Sequence, residues 1–305
     1  MSAAPSPSPA ARGGRPAEWT RRAERGSPFL IRFIVWFSRR AGRGNARILL
    51  RIVAAYFFAT AFAARRASGE YLARALGRAP TLGERWRLLF NFASTVHDRV
   101  FFLEGRHELF EVAVHGAEHF DEGGAILMGA HLGSFEAIRA CARGSRPIAM
   151  AMYEDNARKV QSALAAIAPA MVKDIVALGR LDAMLKLRER LEAGALIGVL
   201  ADRTLGDEPV VELPFLGAPA PFPTGPMRMA AALRARVFFM TGLYRGGNRY
   251  EIHFEPLADF TALEGITRAR RDALVGEAIA RYAGRLEHYC RLAPDNFFNF
   301  HRFWK

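Results

Sequence analysis

The chain has 305 residues, 51% of them hydrophobic, and a formal net charge of +13. That apolar share excludes a disordered chain, and two cysteines (Cys141 and Cys290) without a CxxC spacing exclude a disulfide framework or a zinc ribbon. The charge comes mostly from Arg, with no zinc-finger spacing, RNA-binding aromatic motif or isolated basic recognition helix. Anionic lipid head groups are therefore the expected partners, and nucleic acid is not.

Residues 1–28 are rich in Ala, Pro, Ser, Gly and Arg and read as a disordered, cationic tail. Phe29–Phe37 is apolar but short and interrupted by Arg32. Ile48–Ala64 is longer, carries Arg51 and is closed by Arg65-Arg66. Neither offers the roughly 20 uninterrupted apolar residues of a spanning helix. Helices lying in the membrane interface suit them better, with Trp36 and Tyr56 at head-group depth. The core helices of a soluble domain would carry the same pattern. No signal-peptide cleavage pattern follows either run. Helical periodicity continues to Leu109, which divides the chain into a tail (1–28), a helical membrane-associated segment (29–109) and a core (110–305).

Strand and helix then alternate. The expected strands are Phe110–Val114, Ile126–Met128, Pro147–Met152 and Leu196–Leu200, with helices from Phe135, near 157–168 and over Leu181–Glu192. Such alternation predicts an α/β fold, a mostly parallel sheet flanked by helices, preceded by the amino-terminal docking segment. Val237–Leu243 and Tyr250–Phe254 flank Arg245-Gly246-Gly247-Asn248-Arg249 as a hairpin, and Thr267 is placed to cap a helix lasting to Leu292.

The richest stretch is Ala125–Glu136, where an apolar strand runs into Gly129-Ala130-His131-Leu132-Gly133-Ser134-Phe135-Glu136. His131 is placed at a strand's carboxyl end, where open α/β sheets bind ligands. Gly129 and Ala130 leave room around its imidazole, and Glu136 is one helical turn on. A carboxylate on one ring nitrogen would fix the tautomer and leave the other as a general base for a hydroxyl. A structural histidine would show the same spacing. His115 and His119 stand four apart, but Gly116 and the following Asp121-Glu122-Gly123-Gly124 make a turn the better reading than a metal site. Ser134 lacks a nucleophile elbow, so helix capping suits it better than attack on a substrate. Phe101-Phe102 and Phe297-Phe298 read as core.

His131-Leu132-Gly133-Ser134-Phe135-Glu136 resembles the His-x4-Asp/Glu box of the glycerolipid acyltransferase superfamily, in the His-x-Gly-x-aromatic-Glu form of the lipid A lauroyl/myristoyl acyltransferases. Two later blocks resemble the same family. Ala201-Asp202-Arg203 ends a strand, Pro214-Phe215-Leu216-Gly217 makes a turn and Pro223-Thr224-Gly225-Pro226 opens a helix. Pro294–Lys305 matches the family's aromatic, His-Arg and Lys ending. Leu216 stands where a second Phe is usual, and Arg203 where many members carry Gln.

The resemblance implies transfer of a fatty acyl group from an acyl carrier protein or coenzyme A thioester to a hydroxyl of a lipid acceptor, a lipid A precursor or related glycolipid. It needs no metal or other cofactor. It implies His131 and Glu136 as the catalytic pair, with backbone N–H groups near Gly133 helping to hold the oxyanion. Gly133, Ser134, Arg158, Asp202, Arg203 and Gly225 are the candidate substrate-binding positions; Arg158, Lys159 and Arg180 could hold a phosphate of the carrier or acceptor, and a solvated helix face would carry the same residues. Asp202 and Arg203 are expected to pair, in the active-site loop or as a solvated strand-end bridge. The implied location is the cytoplasmic face of a bacterial inner membrane. A lipid esterase or thioesterase using the same pair, or a non-catalytic membrane-surface protein, are the rival readings.

Overall fold

The computed structural model describes residues 28–120, 123–142, 146–153, 174–180, 182–204 and 208–304. Most of the tail, the helix expected near 157–168, Arg158 and Lys159 lie outside the described residues. Three helices lead: α1 (Pro28–Thr60), broken at Gly42, α2 (Phe62–Leu76) and α3 (Leu82–Leu103). The chain bends by 90° between α1 and α2, and among the described residues no single helix is long and apolar enough to cross a membrane. Thr81 and Glu84 form a reciprocal capping box that fixes where α3 begins.

Among the described residues, nine strands and four α-helices follow. The strands are β1 (Glu111–His115), β2 (Ala125–Gly129), β3 (Ile148–Tyr153), β4 (Ile175–Leu178), β5 (Leu196–Leu200), β6 (Val210–Phe215), β7 (Ala218–Pro223), β8 (Arg236–Tyr244) and β9 (Arg249–Asp259). The helices are α4 (Phe135–Ala142), α5 (Ala183–Glu192), α6 (Gly225–Ala232) and α7 (Arg268–Leu292). Seven strands form one sheet in the order β1-β9-β8-β2-β5-β3-β4, and β8–β9 is its antiparallel pair. The expected mostly parallel α/β sheet with flanking helices is thus observed, and Thr267 caps α7 as its position predicts.

Every residue of β2 is buried because helices cover both sheet faces. Alternation sends Ile126 and Met128 into the core shared with α2 and α7, and Ala125 and Leu127 into the core shared with α3 and α4. Phe101, Phe102 and Phe297 are fully or almost fully buried core side chains, as their sequence context indicates.

The two small strands β6 and β7 pair off the main sheet as a ribbon. Its turn is the Pro-Phe-Leu-Gly block, where Leu216 and Gly217 both take positive φ, 49° and 82°. Pro219, Pro221 and Pro223 alternate along β7, which an outlying two-stranded ribbon tolerates and a central strand would not.

The amino-terminal helices are bolted to the sheet by a buried charge. Asp98 on α3 is wholly buried and accepts two hydrogen bonds from Arg43, at 2.7 and 2.9 Å. It also accepts one from Arg47 at 2.7 Å and one from the Tyr250 hydroxyl at 2.8 Å. Arg47 reaches on to Ser94 and to the Tyr244 hydroxyl, each at 2.8 Å. The cluster therefore joins α1, α3 and the β8–β9 hairpin.

Candidate active site

The register of β2 and β5 sets the site. They are adjacent and parallel, with Gly129 opposite Leu200. Residues two positions beyond that pair leave the sheet side by side at the carboxyl ends of their strands, and these are His131 and Asp202. The Gly129 carbonyl accepts hydrogen bonds from the Ala201 N–H at 3.0 Å and the Tyr282 hydroxyl at 2.8 Å, which pins both exits. The room left at Gly129 is filled by Met240, not by the imidazole: a Cβ there would lie 2.8 Å from the Met240 methyl.

His131 Nδ1 lies 2.9 and 3.0 Å from the two carboxylate oxygens of Asp202. Asp202 is 2% exposed, so its carboxylate needs charged or N–H partners. It finds them in His131 and in Arg203, whose Nε is 3.9 Å from Oδ2. With Nδ1–H donating to Asp202, the neutral tautomer presents Nε2 as a proton acceptor. Nε2 makes no hydrogen bond among the described residues, and about a third (33%) of the side chain is open to solvent. Asp202 and Arg203 do interact as expected, but as a buried pair and not as a solvated strand-end bridge.

The carboxylate facing Nδ1 is thus Asp202, where Glu136 was expected. Glu136 sits in the first turn of α4 and forms an ion pair with Arg99 of α3, whose Nε is 2.8 Å from Oε1. The packing of α3 against α4 supplies that guanidinium, which no local spacing reveals. Glu136 remains near the site electrically, because Arg99 is close enough to influence His131.

Burial pulls the His131 imidazole below its ordinary value. Asp202 pulls it upward, while Arg203 and Arg99 add to the downward shift, and the net displacement is down. Burial alone would raise Asp202, but His131 and Arg203 overcome it and hold the carboxyl at about 2. At neutral pH the pair is accordingly a neutral imidazole on an ionised carboxylate.

The expected oxyanion donors near Gly133 are already spent. The Gly133 N–H donates to the Asn296 carbonyl at 2.9 Å, and the Ser134 N–H to the Gly242 carbonyl at 2.8 Å. The main chain passes β8 here, anchored by one carbonyl of that strand and one of the carboxyl-terminal segment. Gly133 has φ 75°, and a Cβ on it would meet the Gly242 carbonyl oxygen at 2.0 Å. Gly133→Ala should therefore cost more than about 2 kcal/mol, from the left-handed backbone and a clash with main chain that cannot swing aside. Urea denaturation reads this directly, and an unchanged midpoint would refute the packing argument.

Ser134 plays the capping part, its Oγ accepting from the Ala137 N–H at 3.3 Å. Gly225 opens α6 beyond the β6–β7 ribbon, and the hydrogen bonds and ion pairs of the described residues do not join it to His131. Arg180 lies beside Asp182, with Nε 3.5 Å from Oδ1. His115 and His119 are parted by the turn at Gly116, and their rings stack on His253 and Phe238 respectively. Among the described residues no group of three or more His, Cys, Asp or Glu side chains is placed to hold a metal ion.

Asn296 has no motif of its own in the sequence to mark it as part of the site. Buried, its side chain accepts from the Tyr244 N–H at 2.7 Å and donates to the Tyr244 carbonyl at 3.1 Å, while its own carbonyl holds Gly133. Beside it, the Phe298 N–H donates to the His131 carbonyl at 2.8 Å, and Arg203 donates to the Phe298 carbonyl at 3.1 Å. Residues 296–298 thus fasten both His131 and Arg203 from behind.

The site thus presents a histidine with one nitrogen on a buried carboxylate and the other open, at the carboxyl ends of neighbouring parallel strands, an arrangement chemically able to accept a proton. The chain belongs to the bacterial lipid A biosynthesis acyltransferase family, whose model matches residues 49–305, and it is an O-acyltransferase. Among solved structures it is similar to the 1-acyl-sn-glycerophosphate acyltransferase PlsC of Thermotoga maritima. That alignment has 16% identity and a TM-score of 0.37, and covers 79% of this chain and 97% of that one. No curated protein matches the chain.

Proposed function

We propose that the protein transfers a fatty acyl group from an acyl carrier protein or coenzyme A thioester to a hydroxyl of a lipid A precursor or related glycolipid. The observation that carries this reading is the His131–Asp202 pair with Nε2 facing solvent. His131 Nε2 takes the hydroxyl proton as the acceptor oxygen bonds to the thioester carbonyl carbon. Asp202 stabilises the imidazolium by its charge and keeps the ring from turning. When the tetrahedral intermediate collapses, the carbon–sulfur bond breaks and the imidazolium returns its proton to the departing thiolate. Glu136 acts one step removed, by neutralising Arg99 and so limiting how far that cation depresses His131.

Residues 29–109 are proposed to dock on the cytoplasmic face of a bacterial inner membrane, and residues 110–305 to carry the chemistry. Ile48, Ile52 and Tyr56 recur every four residues along α1 and are 59%, 64% and 64% exposed, a stripe that burial in the lipid interface would cover.

Purified protein offered labelled acyl carrier protein or acyl-coenzyme A with a lipid A precursor should form a new labelled lipid whose mass gains one acyl group. Release of labelled free fatty acid with no new ester would overturn transfer in favour of hydrolysis. Absence of any turnover with both donors would leave the proposed substrates wrong.

A further inference from the structure

A second site lies between α2 and the carboxyl-terminal segment. There Phe62, Ala63, Arg66, Ala67, Glu70, Arg302 and Trp304 line an open cavity of about 570 Å³. Its floor is fixed. The Trp304 indole N–H donates to the Phe215 carbonyl at 3.2 Å, and the Arg74 guanidinium covers the ring at 4.7 Å from its centre. Glu70, the acidic residue of the lining, is directed to Arg74 at 3.8 Å. Arg66 and Arg302 enter no hydrogen bond or ion pair with the described residues, so two guanidiniums line one cavity without such a partner there.

Two such guanidiniums lining one concave surface can recognise a phosphate, because each planar fork can donate two parallel hydrogen bonds to its oxygens. The cavity has the size of a small-molecule site and is far larger than a bare phosphate needs. Phe62 is 68% exposed at its rim, one residue beyond the 90° bend that joins α2 to the exposed apolar stripe of α1. An amphiphile would satisfy both halves, with its phosphate on the arginines and its apolar part along Phe62.

We propose that this cavity binds the phosphate of an anionic lipid, held by Arg66 and Arg302 with Phe62 against the lipid's apolar portion, as a site separate from His131. The proposal does not rest on acyl transfer, and its test reads binding alone. Full-length protein is titrated calorimetrically with dihexanoyl phosphatidic acid kept below its micelle concentration, with glycerol 3-phosphate and with inorganic phosphate. Wild type should bind the short-chain lipid saturably. Each of Arg66→Gln and Arg302→Gln should weaken that binding about tenfold or more, the usual loss of a hydrogen bond to a charged group. The arginine-to-lysine variants should recover part of the loss. Arg188→Gln with Arg271→Gln, which removes from α5 and α7 twice the charge that either single variant loses, should leave it unchanged.

Equal weakening by the Arg188/Arg271 control would overturn the site in favour of general charge attraction. Equal affinity for glycerol 3-phosphate or inorganic phosphate would overturn the lipid assignment, since the apolar wall would then contribute nothing. No saturable binding by wild type would overturn the proposal altogether. Melting temperatures of the single variants, both changed at exposed side chains, separate loss of binding from loss of fold.

Discussion

Asp202→Asn is expected to lower kcat by about 10⁴-fold while leaving KM for the acyl donor nearly unchanged, a loss approaching that of His131→Ala. An amide on Nδ1 can donate as well as accept, so it no longer selects the tautomer with Nε2 free. It also removes the charge that stabilises the imidazolium. The pH profile carries an independent signature. Activity follows the neutral form of His131, so kcat/KM rises with pH through the imidazole pKa, which lies below its ordinary value of 6.5. Asp202 raises that pKa, and Arg203 lowers it. Removing the carboxylate therefore moves the residual activity's rising limb to still lower pH. If Glu136 were the orienting acid, Glu136→Gln would show the large kcat loss and Asp202→Asn would leave the limb in place. That outcome would sink the assignment made from the hydrogen bonds.

The second large effect is on stability. Asp98→Ala should cost about 3–5 kcal/mol, because it strands Arg43 and Arg47 together in a site built around one carboxylate. Both arginines are mostly buried, with 16% and 11% of their side chains exposed, so water cannot replace the lost partner. Urea unfolding checks this, and Asp182→Ala, at a solvent-facing pair with Lys186, should leave the midpoint where it was. A pH titration of stability supplies the sign. Burial would raise the Asp98 carboxyl, but His97, Arg43 and Arg47 hold it at about 2, below its ordinary 3.8. The cluster's contribution is then complete above pH 3.8 and is lost as pH falls from there towards 2. In Asp98→Ala that acid-side loss should vanish.

How far these sites could be read in the sequence depends on how local their causes are. His131 was placed at a strand end because the apolar run before it and the helix after it are both written within a dozen residues. The family blocks carried Asp202 and Arg203 as a pair for the same reason. That Asp202 meets His131 depends on β2 lying beside β5 in a particular register, across 71 residues of chain. The clue was present all the same: both residues stand two positions past a buried five-residue strand. Glu136 misled because proximity along the chain was taken for proximity in space, whereas the packing of α3 gave it Arg99. β4 is only four residues long, and the proline-laden β7 reads as loop chemistry, so neither announced itself. The amino-terminal segment showed its helices and its apolar runs, while the ninety-degree turn between them left no local mark.

The clasp formed by residues 296–298 makes catalytic competence depend on a segment that contributes no strand to the sheet. Gly133 and His131 are held to it by main-chain hydrogen bonds and Arg203 by its guanidinium, the last across 95 residues. Contacts so distant along the chain close late in folding, after the local helices and hairpins have formed. A molecule with a complete sheet but an unlatched clasp would look native by circular dichroism and still be inert. Turnover is therefore a stricter report of a finished fold than secondary structure, and local opening at these residues would switch the enzyme off well below its melting point.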